Sequence, residues 1–256
     1  MSSQLPKISV ITCTWNSAAT LAETLDSIAC QTYRNFEQIF VDGGSTDGTL
    51  EMIAERCPGA TVLRDVRGGI SRAMNQGVLH STGDVFCHLH SDDYFATADT
   101  LQKVADRFSA VTECMWLYGS ILIDRGGQAE VWDARFRPFS HKAYAMGSIS
   151  VAHPAVFMRR ALFEEFGGFD ETLKYAMDID LWLRLGQRYR PEVIDEALTV
   201  FRDHPGSVSS ANKLKARQEE WAVRRRYFRS APLQTAVFGL RYLRRTRRLR
   251  AEGVTG

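Results

Sequence analysis

Short apolar runs rich in β-branched residues alternate with helical patterns through the first 93 residues, and this alternation is the strongest constraint on the fold. The runs predicted to form strands are 7–13, 36–41, 61–64 and 85–89. Helices are predicted between them, beginning at Thr20 and spanning 49–56 and 70–80. Strands that alternate with helices form parallel sheets. With 256 residues, 45% of them hydrophobic, the chain is predicted to form one large α/β domain.

Helix starts are marked by capping residues. Thr20-Leu21-Ala22-Glu23 resembles a capping box, and Leu21, Leu25 and Ile28 then share one helix face. Asp47 is a candidate N-cap for the next helix. The pattern therefore predicts two β-α units in succession.

The pattern is looser after Asp93. Helices are predicted at 98–108, 160–166 and 179–188, strands at 115–123, 154–158 and 197–202, and a hairpin region from Gly126-Gly127 through Phe139. Small polar residues at 207–211 suggest a boundary between a domain at 1–210 and a tail at 211–256.

The five cysteines form an odd set without a C-x-x-C pair, so neither a disulfide framework nor a zinc site is predicted. A reducing cytoplasm fits this usage best. The N-terminus lacks the charged start and continuous apolar stretch of a signal peptide. No apolar run reaches the roughly 18 residues of a membrane span.

Charge is distributed unevenly along the chain, although the net charge is only +2. Residues 213–256 contain 13 basic and three acidic residues, a balance of +10, whereas 1–212 contain 19 basic and 27 acidic residues, a balance of −8. In the tail, Leu233, Val237 and Leu240 follow helical spacing beside a cluster of arginines. This pattern predicts a basic amphipathic helix on an anionic membrane surface. The alternative is a solvated or disordered tail. Nucleic acid is not a predicted partner, because no recognition module accompanies the charge.

Two acidic clusters each follow an apolar run: Asp42 within Val41-Asp42-Gly43-Gly44-Ser45, and Asp92-Asp93. Ligands of open α/β sheets bind outside the carboxyl ends of parallel strands. Carboxylates there suit Mn²⁺ or Mg²⁺, and such a metal suits a diphosphate. The chain is therefore predicted to bind a nucleotide with an activated leaving group.

An ordered series of motifs makes this prediction more specific. The motifs are Ile8-Ser9-Val10-Ile11 through Trp15-Asn16, Val41 through Thr49, Ala73-Met74-Asn75, Ser91-Asp92-Asp93, and Asp178-Ile179-Asp180-Leu181-Trp182-Leu183-Arg184. Over roughly 7–210 the chain resembles the family 2 glycosyltransferases. The resemblance implies the GT-A fold: a Rossmann-like mixed sheet, mainly parallel and flanked by helices, here followed by the basic helical tail.

The resemblance also implies an activity. This is metal-assisted inverting transfer of a sugar from a nucleotide diphosphate sugar to a hydroxyl of a glycan or lipid-linked acceptor, in bacterial surface polysaccharide, lipopolysaccharide or glycolipid assembly. A cytoplasmic enzyme, peripheral on the inner face of the cell membrane, is expected.

The resemblance assigns the metal site to Asp93 as direct ligand, with Asp92 bridging the ribose and the metal. His204, which matches a late histidine of many relatives, completes the metal shell or binds the diphosphate. The alternatives are helix caps for the aspartates and a loop-stabilising role for the histidine. Ser91 departs from the usual D-x-D triplet, and His90, where asparagine is common, is either an extra ligand or a structural hydrogen-bonding residue.

The nucleotide-sugar site is assigned in the same way. Asp42 contacts the nucleobase by resemblance, and Cys13 and Trp15 line the base and ribose pocket, unless Trp15 is ordinary core packing. Without a ligand, Asp42 buried at a glycine turn would be an unpaired charge. Because burying an unpaired charge costs free energy, a role for Asp42 in binding the nucleotide is favoured. Arg67 and Arg72 either grip phosphate or belong to a solvated helix face.

Asp178 is the predicted catalytic base, at the start of an amphipathic helix, with its pKa raised by partial desolvation. The alternative is a helix cap. His153 is predicted near the acceptor. Two rival functions are a sugar nucleotidyltransferase, whose glycine- and arginine-rich loop after strand one is missing at Cys13 to Ser17, and an inactive membrane-surface scaffold of the same fold.

Overall fold

The computed structural model describes residues 5–126, 129–131, 139–203, 212–227 and 232–251. The strands within these ranges are β1 (Ile8–Thr14), β2 (Phe36–Asp42), β3 (Thr61–Leu63), β4 (Val85–His88), β5 (Tyr94–Phe95), β6 (Trp116–Asp124), β7 (Ala129–Val131), β8 (Val156–Arg159) and β9 (Glu192–Arg202). The helices are α1 (Leu21–Ala29), α2 (Thr49–Arg56), α3 (Ile70–Leu79), α4 (Thr100–Ala110), α5 (His141–Ala145), α6 (Arg160–Phe166), α7 (Met177–Gly186), α8 (Lys213–Arg225) and α9 (Pro232–Ala251).

The described strands form one mixed sheet in the order β3-β2-β1-β4-β8-β6-β9-β5, with β7 beside β6. The first four strands are parallel, and Ile8 of β1 lies between Phe36 of β2 and Val85 of β4. β6 and β9 run in the same direction as these four, whereas β5, β7 and β8 run against them. The predicted mixed, mainly parallel sheet is confirmed.

Strand direction determines which loops meet. The carboxyl ends of β1, β2, β4, β6 and β9 lie along one edge, and antiparallel β8 begins at that same edge. The segments after β2 and β4, which contain the predicted acidic clusters, therefore share an edge with the segment before β8. Such an edge is where open α/β sheets bind ligands.

Hydrophobic cores cover both faces of the sheet. Along β1, Ile8 and Val10 belong to the core that α4 covers, while Ile11 belongs to the core that α3 and α7 cover, as the two-residue period of a strand requires. The core on the side of α3 and α7 also includes Val223 of α8 and Phe238 of α9, which are 0% and 6% exposed. Both tail helices thus pack against the remainder of the protein.

Several predicted elements are confirmed in type, with shifted ends. The predicted helices at 49–56 and 160–166 have the predicted bounds, whereas α7 begins two residues before the prediction. Thr20 is the N-cap of α1, but its side chain makes no cap hydrogen bond, so the predicted capping box is wrong. The hydroxyl of Thr20 instead donates to Ser17 O, at 3.4 Å.

Two regions were assigned incorrectly or missed. The predicted strand at 154–158 starts as a 3-10 turn, His153–Ala155, because Pro154 cannot donate to a sheet. Helix α8 lies within the predicted helical tail at 211–256, but it was not predicted as a separate element. The boundary at 207–211 and most of the predicted hairpin lie outside the described residues, although β7 does pair antiparallel with β6. In the described part of the chain, no helix has both the length and the apolar character needed to span a bilayer.

Candidate active site

The loops that follow β1 and β2 are joined by hydrogen bonds. Asn16 N donates to the Ser45 hydroxyl at 2.8 Å, and Thr46 N donates to the Asn16 side-chain oxygen at 2.9 Å. Asp47 accepts from Ala18 N at 3.0 Å. The N-cap of α2 is Gly48 rather than the predicted Asp47. The carboxylate of Asp47 accepts from Thr49 N, at the start of α2, at 3.2 Å and also joins the two loops. These contacts hold the ends of two neighbouring strands in a fixed arrangement.

Asp42, at the end of β2, is fully buried and fully satisfied. Its Oδ1 accepts from Gly44 N at 2.9 Å and Ser45 N at 2.8 Å, and its Oδ2 accepts from the hydroxyls of Thr14 at 2.9 Å and Ser45 at 2.5 Å. Burial raises its pKa, but these hydrogen bonds outweigh burial and leave the pKa below its ordinary value. The expectation that this charge would be unpaired without a ligand is therefore wrong. Contact with a nucleobase stays a prediction.

Trp15 and Cys13 differ sharply in exposure. Trp15 is 70% exposed and lies against Gly43, so the core-packing alternative is wrong for this residue. A β-carbon added to Gly43 would be 3.4 Å from the indole ring. Cys13 is 7% exposed and packs in the core, where burial raises its pKa to about 12. Any nucleotide contact from Cys13 would therefore involve its backbone.

The segment after β4 contains the second acidic cluster. Asp93 is 2% exposed, and its carboxylate accepts from Arg202 N at 3.2 Å, whereas Asp92 is half-buried. Burial and the neighbouring Asp92 raise the pKa of Asp93 well above its ordinary value. Ser91 does not replace the missing carboxylate, because its hydroxyl donates to Ser17 at 2.8 Å and joins this segment to the loop after β1.

The chemistry of this pair suits a hard divalent cation. Two adjacent carboxylates, one of them buried, have excess negative charge that a cation would neutralise. Among the described residues, no group of three or more His, Cys, Asp or Glu is arranged to hold a metal by itself. Mg²⁺ and Mn²⁺ sites often use one or two carboxylates and take their remaining ligands from substrate phosphates and water. His204 lies outside the described residues.

Arg67 lies on the segment between β3 and α3, near the loop of Asp42, and Arg72 lies in the first turn of α3. Both are exposed. A β-carbon added to Gly44 would be 3.4 Å from Arg67 Nη2, and one added to Gly68 would be 2.7 Å from Arg72 Cδ. The side chain of Arg72 thus lies over the left-handed Gly68, whose φ is +116°. Phosphate binding by Arg72 stays a prediction.

A cluster of buried and half-buried rings lies between β4 and α7. His153 lies 5.4 Å from His88 and 5.6 Å from His90, stacks on Phe169 at 5.4 Å and meets Trp182 edge-on at 5.7 Å, between ring centroids. Burial lowers the pKa of His88 to about 3 and that of His153 well below its ordinary value. These imidazoles are therefore neutral.

Three polar atoms of this ring cluster lack hydrogen-bond partners among the described residues, namely His90 Nδ1, His153 Nε2 and Trp182 Nε1. The structural hydrogen bond considered for His90 is therefore wrong for this nitrogen. Buried polar atoms are rarely left unsatisfied, so a polar ligand or water is the expected partner. The sequence pointed to His90 and His153 separately. Their juxtaposition follows from the antiparallel direction of β8.

Asp178, the predicted base, lies in the first turn of α7. Burial raises its pKa to about 6, and this rise is opposed by a hydrogen bond from Ile179 N at 2.7 Å and by Arg224. Trp182 is one helical turn further along and shares its face. The ring cluster thus connects the face of α7 that holds Asp178 with His90, two residues before Asp92. This arrangement can pair a base with an edge suited to a diphosphate.

Sequence comparisons with known proteins identify relatives of this chain. Residues 9–167 match the family described as Glycosyl transferase family 2. An uncharacterized glycosyltransferase of Mycobacterium tuberculosis is 32% identical over 201 residues, 77% of this chain and 75% of that protein. A PGL/p-HBAD biosynthesis glycosyltransferase of Mycobacterium bovis is 33% identical over 188 residues, 70% and 69% of the two chains.

Solved structures share the fold. Staphylococcus aureus TarS 1-349 in complex with UDP-GlcNAc superposes with a TM-score of 0.71 at 22% identity, over 85% of this chain and 65% of that chain. The chain thus spans just under two thirds of that structure's length. Mannosyltransferase PcManGT from Pyrobaculum calidifontis, in complex with GDP-Man and Mn2+, gives a TM-score of 0.68 at 20% identity, over 94% and 70%. The matched family and the relatives above 30% identity lead to one conclusion: this chain belongs to glycosyl transferase family 2 and is a glycosyltransferase.

Proposed function

We propose that this chain transfers a sugar, with inversion, from a nucleotide diphosphate sugar to a hydroxyl of a glycan or lipid-linked acceptor, with Asp178 as the base. The observation that carries the proposal is the desolvated carboxylate of Asp178, with a pKa of about 6, on the helix face that the ring cluster connects to the Asp92–Asp93 edge. Structural neighbours bound to UDP-GlcNAc, or to GDP-Man with Mn2+, support the choice of donor class.

The donor would lie along the carboxyl edge of the sheet. Trp15 offers an exposed ring for the base, worth about 1–3 kcal/mol if it stacks. The loop that Asp42 holds lies against this ring at Gly43. The exposed Arg72 is proposed to bind phosphate. Asp92 and Asp93 would hold Mn²⁺ or Mg²⁺, which neutralises the negative charge of the departing diphosphate when bound. His204 is proposed as a further ligand or diphosphate contact.

The base acts on the acceptor. The ionised carboxylate of Asp178 removes the proton of the acceptor hydroxyl as its oxygen bonds to the anomeric carbon, from the face opposite the leaving group. The bond from that carbon to the phosphate oxygen breaks, the nucleoside diphosphate leaves with the electron pair, and the configuration inverts. A pKa of about 6 leaves the carboxylate mostly ionised at neutral pH, yet more basic than an ordinary aspartate.

The test is Asp178→Asn, which removes the base but keeps the shape of the side chain. We expect kcat to fall about 10²- to 10⁴-fold, the usual contribution of a positioned base, while donor binding is retained. NMR of the product reports inversion at the anomeric carbon. Asp195→Asn, on an exposed position of β9, is the matched control. Full transfer activity of Asp178→Asn would favour another residue as the base. If Asp178→Asn lacked transfer activity but fully complemented a strain without the gene, the inactive-scaffold alternative would be favoured.

We also propose that α9 lies on the anionic inner face of the cell membrane and so brings the site to a lipid-linked acceptor. Val237, Leu240 and Leu243 are 39%, 51% and 52% exposed. Five described arginines of this helix are exposed as well, Arg241, Arg244, Arg245, Arg247 and Arg248. Apolar and basic side chains together are what an interfacial helix needs.

Vesicle co-sedimentation tests this surface. Arg244→Glu/Arg245→Glu should weaken binding to phosphatidylglycerol vesicles at least about tenfold, at about 1 kcal/mol per arginine, with no effect on neutral vesicles. Arg190→Glu, exposed elsewhere, is the control. Equal sedimentation of the double variant and the wild type would exclude this surface.

A further inference from the structure

The carboxylate of Glu219, in the basic tail, accepts hydrogen bonds from backbone N–H groups close in sequence to the candidate base, Asp178. Glu219 lies on α8 and accepts hydrogen bonds from three consecutive backbone N–H groups. Lys174 N donates to both of its oxygens at 3.1 Å, Tyr175 N donates at 2.5 Å, and Ala176 N donates at 2.7 Å. These donors are 43 to 45 residues away in sequence, so the contact is tertiary.

This contact fixes the start of α7. Ala176 is the N-cap of α7, and its own side chain makes no cap hydrogen bond. Helices need partners for the N–H groups at their start, and a negative charge there is stabilised by the helix dipole. Glu219 supplies that charge from another helix, next to the first turn that includes Asp178. The N-cap, Ala176, is two residues before Asp178, so the carboxylate of Glu219 contacts the backbone that leads directly into the candidate base.

Other contacts hold α8 firmly enough for this role. Val223 is fully buried in the core, and Arg226 pairs with Asp180 of α7 at 3.3 Å. Arg224 is 4% exposed, donates to the carbonyl of Tyr144, and lowers the pKa of Asp178. Helix α8 is therefore an integral wall of the region around the base, although it belongs to the segment that sequence charge assigned to the tail.

We infer that Glu219 is a positioning residue for sugar transfer, acting through Asp178 by fixing the first turn of α7. The inference rests on the proposed function, because it has meaning only if Asp178 is the base. A merely structural role for Glu219 makes a different prediction. A merely structural Glu219→Gln change would lower the melting temperature, and it would lower kcat by the same factor in the wild type and in Asp178→Asn.

A double-mutant cycle separates the two roles. We would measure kcat, the donor KM and the melting temperature of the full chain for wild type, Glu219→Gln, Asp178→Asn and the double variant. Glutamine keeps one acceptor oxygen but places an amide N–H against backbone donors. We expect Glu219→Gln to lower kcat about tenfold, since small misplacements of catalytic groups cost up to about 10²-fold, with the donor KM changed less than about twofold.

The decisive comparison is in the Asp178→Asn background, where Glu219→Gln should change the residual rate less than about twofold, because coupled residues are not additive. A tenfold loss in both backgrounds would overturn the inference while leaving Asp178 as the base. A fully active Asp178→Asn enzyme would overturn the proposed function, and the inference with it.

Two further variants guard against a folding artefact. Glu219→Asp keeps a carboxylate that is one methylene shorter, and its kcat should lie between those of the wild type and Glu219→Gln. Glu55→Gln, on the exposed side of α2, makes the same chemical change elsewhere and should leave kcat unchanged. A Glu219→Asp enzyme no better than Glu219→Gln at equal melting temperature would contradict the inference.

Discussion

Asp42 and Asp93 are both buried at the same edge of the sheet, yet their surroundings are opposite. Asp42 accepts four hydrogen bonds, and its pKa is lowered. Among the described residues, the carboxylate of Asp93 accepts one hydrogen bond, from the backbone N–H of Arg202. Asp93 also lies beside Asp92, and its pKa is raised. Burial alone therefore does not distinguish a structural carboxylate from one suited to a cation. The number of donors around it does.

The largest expected effect is a loss of transfer activity on substitution of Asp93, which would distinguish it from Asp42. Asp93→Asn should lower kcat/KM about 10³-fold, because charge stabilisation of the leaving group is worth about 4 kcal/mol in comparable sites. Its melting temperature without metal should rise or stay constant, since a buried, poorly compensated charge has been removed. Transfer assays with labelled donor and thermal unfolding measure the two effects. Loss of activity together with a lower melting temperature would contradict the contrast.

A third carboxylate, the half-buried Asp178, should set the acidic limb of the pH–rate profile. Its raised pKa means that the carboxylate gains its proton, and stops acting as a base, as the pH falls through about 6. kcat/KM, which reports the free enzyme, should therefore fall about tenfold per pH unit well below that value and level off about one pH unit above it. A limb near pH 4, typical of an unperturbed aspartate, would argue against Asp178 as the base.

The smallest effect concerns Asp42 and is one of stability. Asp42→Asn keeps one oxygen for Gly44 N and Ser45 N but loses the charge, and should cost about 1–2 kcal/mol of unfolding free energy. That corresponds to a melting temperature lower by roughly 2–8 °C for a chain of this size. Calorimetry of the ligand-free protein measures it. An unchanged or higher melting temperature would show that Asp42 is no better compensated than Asp93.

Local sequence signals predicted the fold well where the chain alternates between strand and helix. The bounds of α2 were predicted correctly, and the parallel direction of β1, β2 and β4 follows from their alternation with helices. The acidic ends of β2 and β4 were likewise visible. Their opposite chemistry was not, because the donors around Asp93 come partly from Arg202, 109 residues away.

The tail shows the same limit. Charge counting separated residues after 212 from the remainder and predicted a membrane-facing helix, but it could not show that Glu219 contacts residues 174–176 or that Val223 is buried. Those contacts depend on how α8 packs against α7, which no local pattern in either segment encodes. The ring cluster of His88, His90 and His153 was missed for the same reason, since it depends on the direction of β8.

One measurement tests the central claim most directly: thermal unfolding of the wild type and Asp93→Asn with UDP, GDP and dTDP sugars, with a CMP sugar as monophosphate control, each with and without Mn²⁺. The account predicts that at least one diphosphate sugar raises the wild-type melting temperature when Mn²⁺ is present. The same donor with Mn²⁺ should leave Asp93→Asn unchanged. Failure of every diphosphate sugar to stabilise the wild type with Mn²⁺, or equal stabilisation of both proteins, would contradict it.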